Sequence, residues 1–180
     1  SRPYTQEEKE KLCEKKNALY REYLKQLSPT DVSQDVLETL KSIKSMGIKT
    51  AIGSSSKNTK FILRQIGLLD AFDEIVDGNM ITRSKPDPEV FLLAAKRLGL
   101  DPSECGVVED AYAGVKAAKD GGFTSYGILD AASSPDTDHS LGKFSDLLNY
   151  LKSEDSPVIR IEHLYKTYPN GVAATKDFNL

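Results

Sequence analysis

Val107-Val108-Glu109-Asp110-Ala111 is the stretch on which the reading of this chain turns. Two β-branched apolar residues run into two adjacent carboxylates, and a helical pattern follows. In a parallel α/β sheet this places the acids at the carboxyl end of a buried strand, where such sheets bind ligands. Two hard oxygen donors there suit Mg²⁺, which takes few carboxylates and keeps water or phosphate oxygens as its other ligands. The plainer alternative is an acidic loop whose Asp caps the next helix.

Working outward, strand and helix patterns alternate on both sides of that stretch. Strands are expected over 48–53, 74–76, 106–108 and 124–129. Helices are expected over 59–66, 88–98, 111–120 and 144–151, punctuated by Gly67, Gly99 and Gly121-Gly122. This alternation indicates a doubly wound, Rossmann-like parallel sheet of the α/β class. Two helices precede it. The first starts at the capping-box pattern Thr5-Gln6-Glu7-Glu8 and runs to about residue 26, with Leu12, Leu19, Tyr23 and Leu27 near one face. The second spans 33–46 and ends at Gly47. Neither need pack on the sheet directly.

Composition bounds the function classes. The chain has 180 residues, 39% of them hydrophobic and 28% charged, which fits a globular protein with a real core. A net charge of −3 argues against a nucleic-acid-binding protein. No apolar run approaches the ~20 residues a membrane-spanning helix needs, so no direct membrane insertion is expected. Two distant cysteines, Cys13 and Cys105, point to a reducing, cytoplasmic compartment rather than a disulfide framework. Two histidines, His139 and His163, leave little material for a His-based triad.

Two further strand ends carry polar groups. Ser54-Ser55-Ser56-Lys57-Asn58 offers three hydroxyls, three backbone N–H groups, an ammonium and an amide at a helix entrance, a place suited to phosphate. A plain capped loop is the alternative. Ser84-Lys85-Pro86-Asp87-Pro88 holds a lysine before a proline-started helix, where it can neutralise phosphate charge; an exposed lysine in a proline turn is the alternative. Hydroxyl, lysine and carboxylate pair in that order form a set that phosphoryl transfer requires.

On these motifs residues 2 to 150 resemble the haloacid dehalogenase (HAD) superfamily, and within it the β-phosphoglucomutases. The resemblance implies Ser54 and Lys85 as the catalytic hydroxyl and lysine that hold the transferring phosphoryl group, and Glu109 and Asp110 as Mg²⁺ ligands. It implies that the Ser55-Ser56-Lys57-Asn58 loop grips the distal phosphate of a sugar bisphosphate. The helix around Lys15-Lys16-Asn17 resembles the later part of the family's helical cap, and Lys16 matches the lysine that faces the sugar-phosphate substrate. The implied reaction interconverts β-glucose 1-phosphate and glucose 6-phosphate through a phospho-aspartate. The family's Asp-x-Asp motif, at the end of its first and central strand, has no counterpart here. Asp136-Thr137-Asp138 has the spacing but follows no apolar strand and is rejected. The expectation is a HAD core lacking its first strand, inactive alone, with two neighbouring strands exposing unpaired edges. A sugar-phosphate phosphatase on the same fold is the first alternative.

After Lys152 the composition shifts. Residues 153–157 read as a polar linker, Val158 to Glu162 as a strand, and Asn170-Gly171 as a turn. Residues 158 to 180 resemble the opening of an ABC transporter ATPase of the sugar-importer type, with Tyr168 matching the residue that stacks on adenine. That resemblance implies ABC transporter subunits as partners and a phosphate loop beyond Leu180. The domains expected are therefore a partial helical cap (1–30), the core (31–152), the linker (153–157) and the start of an ATPase domain (158–180). A non-catalytic segment of an ABC transporter ATPase is the second alternative.

Overall fold

The computed structural model describes residues 5–151 and 159–162; for 159–162 and several positions of the first helix only the backbone is described. Helix α1 (Gln6–Leu24) begins at the expected capping box. The Glu8 N–H donates to Thr5 Oγ1 at 3.2 Å, and the Thr5 N–H donates back to Glu8 Oε2 at 2.8 Å. Its C-terminal end is anchored, since Leu24 and Leu27 enter the core, whereas Leu12 is exposed. Of the apolar face expected along the helix, Leu27 is thus buried and Leu12 is not. A 3-10 turn at Pro29–Asp31 ends this segment.

Helix α2 (Gln34–Ser45) is capped by Ser33, whose hydroxyl accepts from the Val36 N–H, and closes at Gly47 with φ of 71°. Contrary to the expectation that it need not touch the sheet, its Ile43 is fully buried against Val108 and Tyr126. The following elements are β1 (Lys49–Gly53), α3 (Thr59–Gln65), β2 (Glu74–Val76), α4 (Glu89–Leu98), β3 (Cys105–Glu109), α5 (Tyr112–Asp120), β4 (Thr124–Ile128), β5 (His139–Leu141), α6 (Leu147–Leu151) and β6 (Ile159–Glu162).

The six strands form one sheet in the order β2-β1-β6-β3-β4-β5, and every pair is parallel. Helices cover both faces. Val90, Phe91, Ala94 and Ala95 of α4, with Ala117 and Ala118 of α5, pack on Ala51, Val76 and Val107. On the other face Leu40, Leu63 and Ile66 pack on Ile52, and Ile43, Leu147 and Leu151 pack on Val108 and Tyr126. Strands β1 and β3 are accordingly buried on both sides, and β3 has no exposed residue.

Two features differ from the sequence expectation. β5 went unpredicted. It is held by Asp138, whose carboxylate accepts from the backbone N–H and the hydroxyl of buried Ser125, both at 2.8 Å. This structural task also accounts for Asp138 within Asp136-Thr137-Asp138. The second difference is at the sheet's centre. The strand expected after the linker is present as β6, but it lies between β1 and β3 rather than outside the core. The unpaired edges expected there are thus satisfied by parallel pairing along both sides of β6. Residues 163–180, including Tyr168 and the Asn170-Gly171 turn, lie outside the described residues.

Candidate active site

The carboxyl ends of β1 and β3 bring the candidate residues together. Ser54 follows β1 directly and is buried. Its N–H donates to the Val76 carbonyl at 3.0 Å, and its Oγ accepts from the Ser56 N–H at 3.2 Å. That leaves the Ser54 O–H free to donate to an oxygen ligand. Ser56 Oγ accepts in turn from the Asn58 N–H at 3.2 Å. The loop thus spends on itself N–H groups that the sequence reading offered to phosphate, and what it presents is chiefly hydroxyls. Lys57 is exposed and Asn58 half-buried.

The next loop, after β2, braces this one. Asn79 Nδ2 donates to the Lys57 carbonyl at 3.1 Å, and the Gly78 N–H donates to the Ser56 carbonyl at 3.0 Å. A Cβ at Gly78 would stand 2.1 Å from the Ser55 carbonyl oxygen, so only glycine permits this approach. Asp77, buried and missed by the sequence reading, accepts from the Asn79 N–H at 2.9 Å and shapes the brace. Its visible signal was an acid followed by glycine at a strand end.

Lys85 reaches into the centre. Its backbone N–H makes a long contact of 3.5 Å with Ser55 Oγ. Its ammonium is bonded to Glu109 Oε1 and lies 5.0 Å from the ring centroid of buried Phe91. The side chains of Lys85 and Glu109 are 11% and 1% exposed, so this is a desolvated pair and not a surface one. Glu109 is backed by Gly114, where a Cβ would lie 2.1 Å from Glu109 Cδ. Asp110 is also buried, and its carbonyl accepts from the Ala131 N–H at 3.1 Å. Tyr112 Oη and Ser133 Oγ, 2.9 Å apart, tie the same two loops again.

The lysine loop is set by Glu89, another residue the sequence reading missed. Its carboxylate accepts from the Thr82 N–H at 2.9 Å and the Arg83 N–H at 2.8 Å. The Thr82 N–H is the main reason its carboxyl is lowered from 4.5 to about 2, with the Arg83 N–H adding to it and partial burial opposing it. A depressed carboxyl contributes stability above its unfolded pKa and loses it as pH falls through the folded value. The stability gap between the wild type and Glu89→Gln should therefore be full above pH 4.5 and shrink toward pH 2. Thermal melts across that range check it; a gap independent of pH would contradict the assignment.

The residues present fit Mg²⁺ in part. Glu109 and Asp110 are hard oxygen donors, but Glu109 shares its carboxylate with Lys85, and no cluster of three His, Cys, Asp or Glu side chains occurs among the described residues. A cation held there would draw its remaining ligands from water and phosphate oxygens. Lys16 lies on α1, and its side chain is outside the described residues, so it is neither joined to this group nor separated from it. A cavity of about 200 Å³ lined by Lys44, Thr50, Asp70 and Asp73 opens at the other end of β1, away from these groups.

The family model for haloacid dehalogenase-like hydrolases matches residues 2–122. The chain belongs to that family. It is 35% identical over 158 residues to β-phosphoglucomutase of Bacillus subtilis, covering 88% of this chain and 70% of that protein. It is 35% identical over 124 residues to a phosphorylated carbohydrates phosphatase of Thermotoga maritima, covering 67% of this chain and 55% of that one. The chain thus spans little more than half the length of the phosphatase. Among solved structures, β-phosphoglucomutase of Clostridium difficile superposes with a TM-score of 0.75 at 30% identity, over 82% of this chain and 67% of the other. The parallel sheet and its helices are the HAD-like fold. No helix among the described residues is long and apolar enough to cross a membrane.

Proposed function

We propose that this chain forms the phosphate-handling core of a Mg²⁺-dependent sugar-phosphate mutase of the β-phosphoglucomutase kind. The observation that carries the reading is the Lys85–Glu109 contact: it joins the lysine loop to the carboxylate strand, beside the hydroxyl loop after β1. The likeness to two β-phosphoglucomutases supports it. Ser54 donates its O–H to a phosphoryl oxygen, and Lys85 offsets the negative charge. Glu109 and Asp110 hold Mg²⁺, which when bound stabilises charge on the phosphoryl oxygens. Ser55, Ser56, Lys57 and Asn58 hold the far phosphate of a bisphosphate. No Asp-x-Asp motif occurs among residues 1–53.

A sugar-phosphate phosphatase is the second reading, favoured by the Thermotoga maritima relative. The full-length protein is assayed with β-glucose 1-phosphate and glucose 1,6-bisphosphate. The mutase reading expects bisphosphate-dependent formation of glucose 6-phosphate, reduced about 10²-fold or more in Ser54→Ala. Steady release of inorganic phosphate without isomerisation would replace it with the phosphatase.

A further inference from the structure

Lys57 is the one cation of the 54–58 loop, and its side chain is not aimed by any partner of its own. It is exposed and makes no ion pair among the described residues. An ammonium on a flexible four-carbon stem reaches only where its main chain directs it. That main chain is held from outside the loop. Asn79 Nδ2 donates to the Lys57 carbonyl at 3.1 Å, and among the described residues this carbonyl has no other donor.

Asn79 is itself preset. Asp77 Oδ1 accepts from the Asn79 N–H at 2.9 Å and from Asn79 Nδ2 at 3.1 Å. A carboxylate and a carbonyl only accept, so the NH₂ end of the amide must face both, one hydrogen to each. Asp77 is 4% exposed and directly follows β2, which ties the chain of contacts to the sheet. The path runs from the end of β2 through Asp77 and Asn79 to the Lys57 carbonyl. Asn79 hydrogen-bonds neither Ser54 nor Lys85; Ser54 is held separately, by the Val76 carbonyl at 3.0 Å.

We propose that Asp77 and Asn79 are positioning residues that set the affinity of the Ser56-Lys57-Asn58 loop for the far phosphate of a bisphosphate. They act through the Lys57 main chain and touch no substrate. A loop fixed by a rigid support loses less freedom when it grips an anion, so the brace tightens binding without taking part in the chemistry. The inference rests on the mutase reading of this loop. It separates two halves of the site: β2 governs how firmly the far phosphate is held, while Ser54 and Lys85 govern its transfer at the other end.

The full-length protein is assayed for conversion of β-glucose 1-phosphate over a series of glucose 1,6-bisphosphate concentrations. Asn79→Ala should raise the half-activating bisphosphate concentration about threefold to tenfold, the worth of one hydrogen bond. Its kcat at saturating bisphosphate should match the wild type, the mark of lost binding and not of lost chemistry. Asn79 is exposed, so this arm does not depend on a core substitution folding. Asp77→Asn keeps an acceptor oxygen and should stay near the wild type, whereas Asp77→Ala should shift as Asn79→Ala does. In a Lys57→Ala background Asn79→Ala should have a smaller effect, because the group it aims is gone. An unchanged half-activating concentration in Asn79→Ala, a loss confined to kcat, an undiminished effect in the Lys57→Ala background, or Asp77→Asn as impaired as Asp77→Ala would each overturn the inference. A wild type whose activity does not depend on bisphosphate would instead remove the mutase reading, and the inference with it.

Discussion

Lys85→Met should destabilise the protein by about 3–5 kcal/mol, because it strands the Glu109 carboxylate without its cation in a dry site. The side chains are 11% and 1% exposed, so water cannot replace the ammonium cheaply. Methionine keeps the apolar stem beside Phe91, which confines the change to the charge. The double variant Lys85→Met/Glu109→Gln should recover most of the loss, because it removes both charges together. Urea denaturation of the four proteins in the cycle measures this. A single-variant loss below about 1 kcal/mol, the range of exposed pairs, would show that the pair is solvated. Phosphate affinity separates the two roles of the lysine: the double variant should regain stability but not phosphate binding, since charge neutralisation requires the ammonium itself.

That pairing marks where sequence reading reaches its limit. Elements with local punctuation were readable: the Thr5 capping box, the closing glycines Gly47 and Gly99, and the apolar run of β3 all state their structure within a few residues. The 54–58 loop, the Lys85 loop and the Glu109-Asp110 pair could be singled out because each stands at a strand end in a doubly wound pattern, whereas the role expected of each residue came from the family resemblance. What could not be read depends on distance across the fold. β5 has no apolar run of its own in His139-Ser140-Leu141, and its place follows from Asp138 binding Ser125 thirteen residues earlier. The strand character of Ile159–Glu162 was local, but its seat between β1 and β3 is a non-local register. The exposure of Leu12 has the same origin, since helical spacing says which residues share a face and not whether anything covers it. Asp77, Glu89 and Gly114 escaped because their roles are set by contacts with other loops and strands.

Gly114→Ala is the sharpest test of such a contact. Alanine in a helix is ordinarily favoured over glycine by about 0.5–1 kcal/mol, so propensity alone predicts a gain. The packing predicts the opposite. A Cβ at position 114 would stand 2.1 Å from Glu109 Cδ and 2.3 Å from Glu109 Oε2. A free surface glutamate would swing aside, but this one is buried and bonded to Lys85. Overpacking of this kind costs about 1–3 kcal/mol and sometimes more, which exceeds the propensity gain. Gly114→Ala should therefore lower the melting temperature and weaken Mg²⁺ binding, because the carboxylate it displaces is one of the two at the strand end. The deciding measurement is the same substitution in a Glu109→Ala background. There the atoms that a new Cβ would strike are gone, and Gly114→Ala should become neutral or stabilising. If it remained equally costly, the cause would lie in the backbone of α5, and Gly114 would have no part in shaping the carboxylate site.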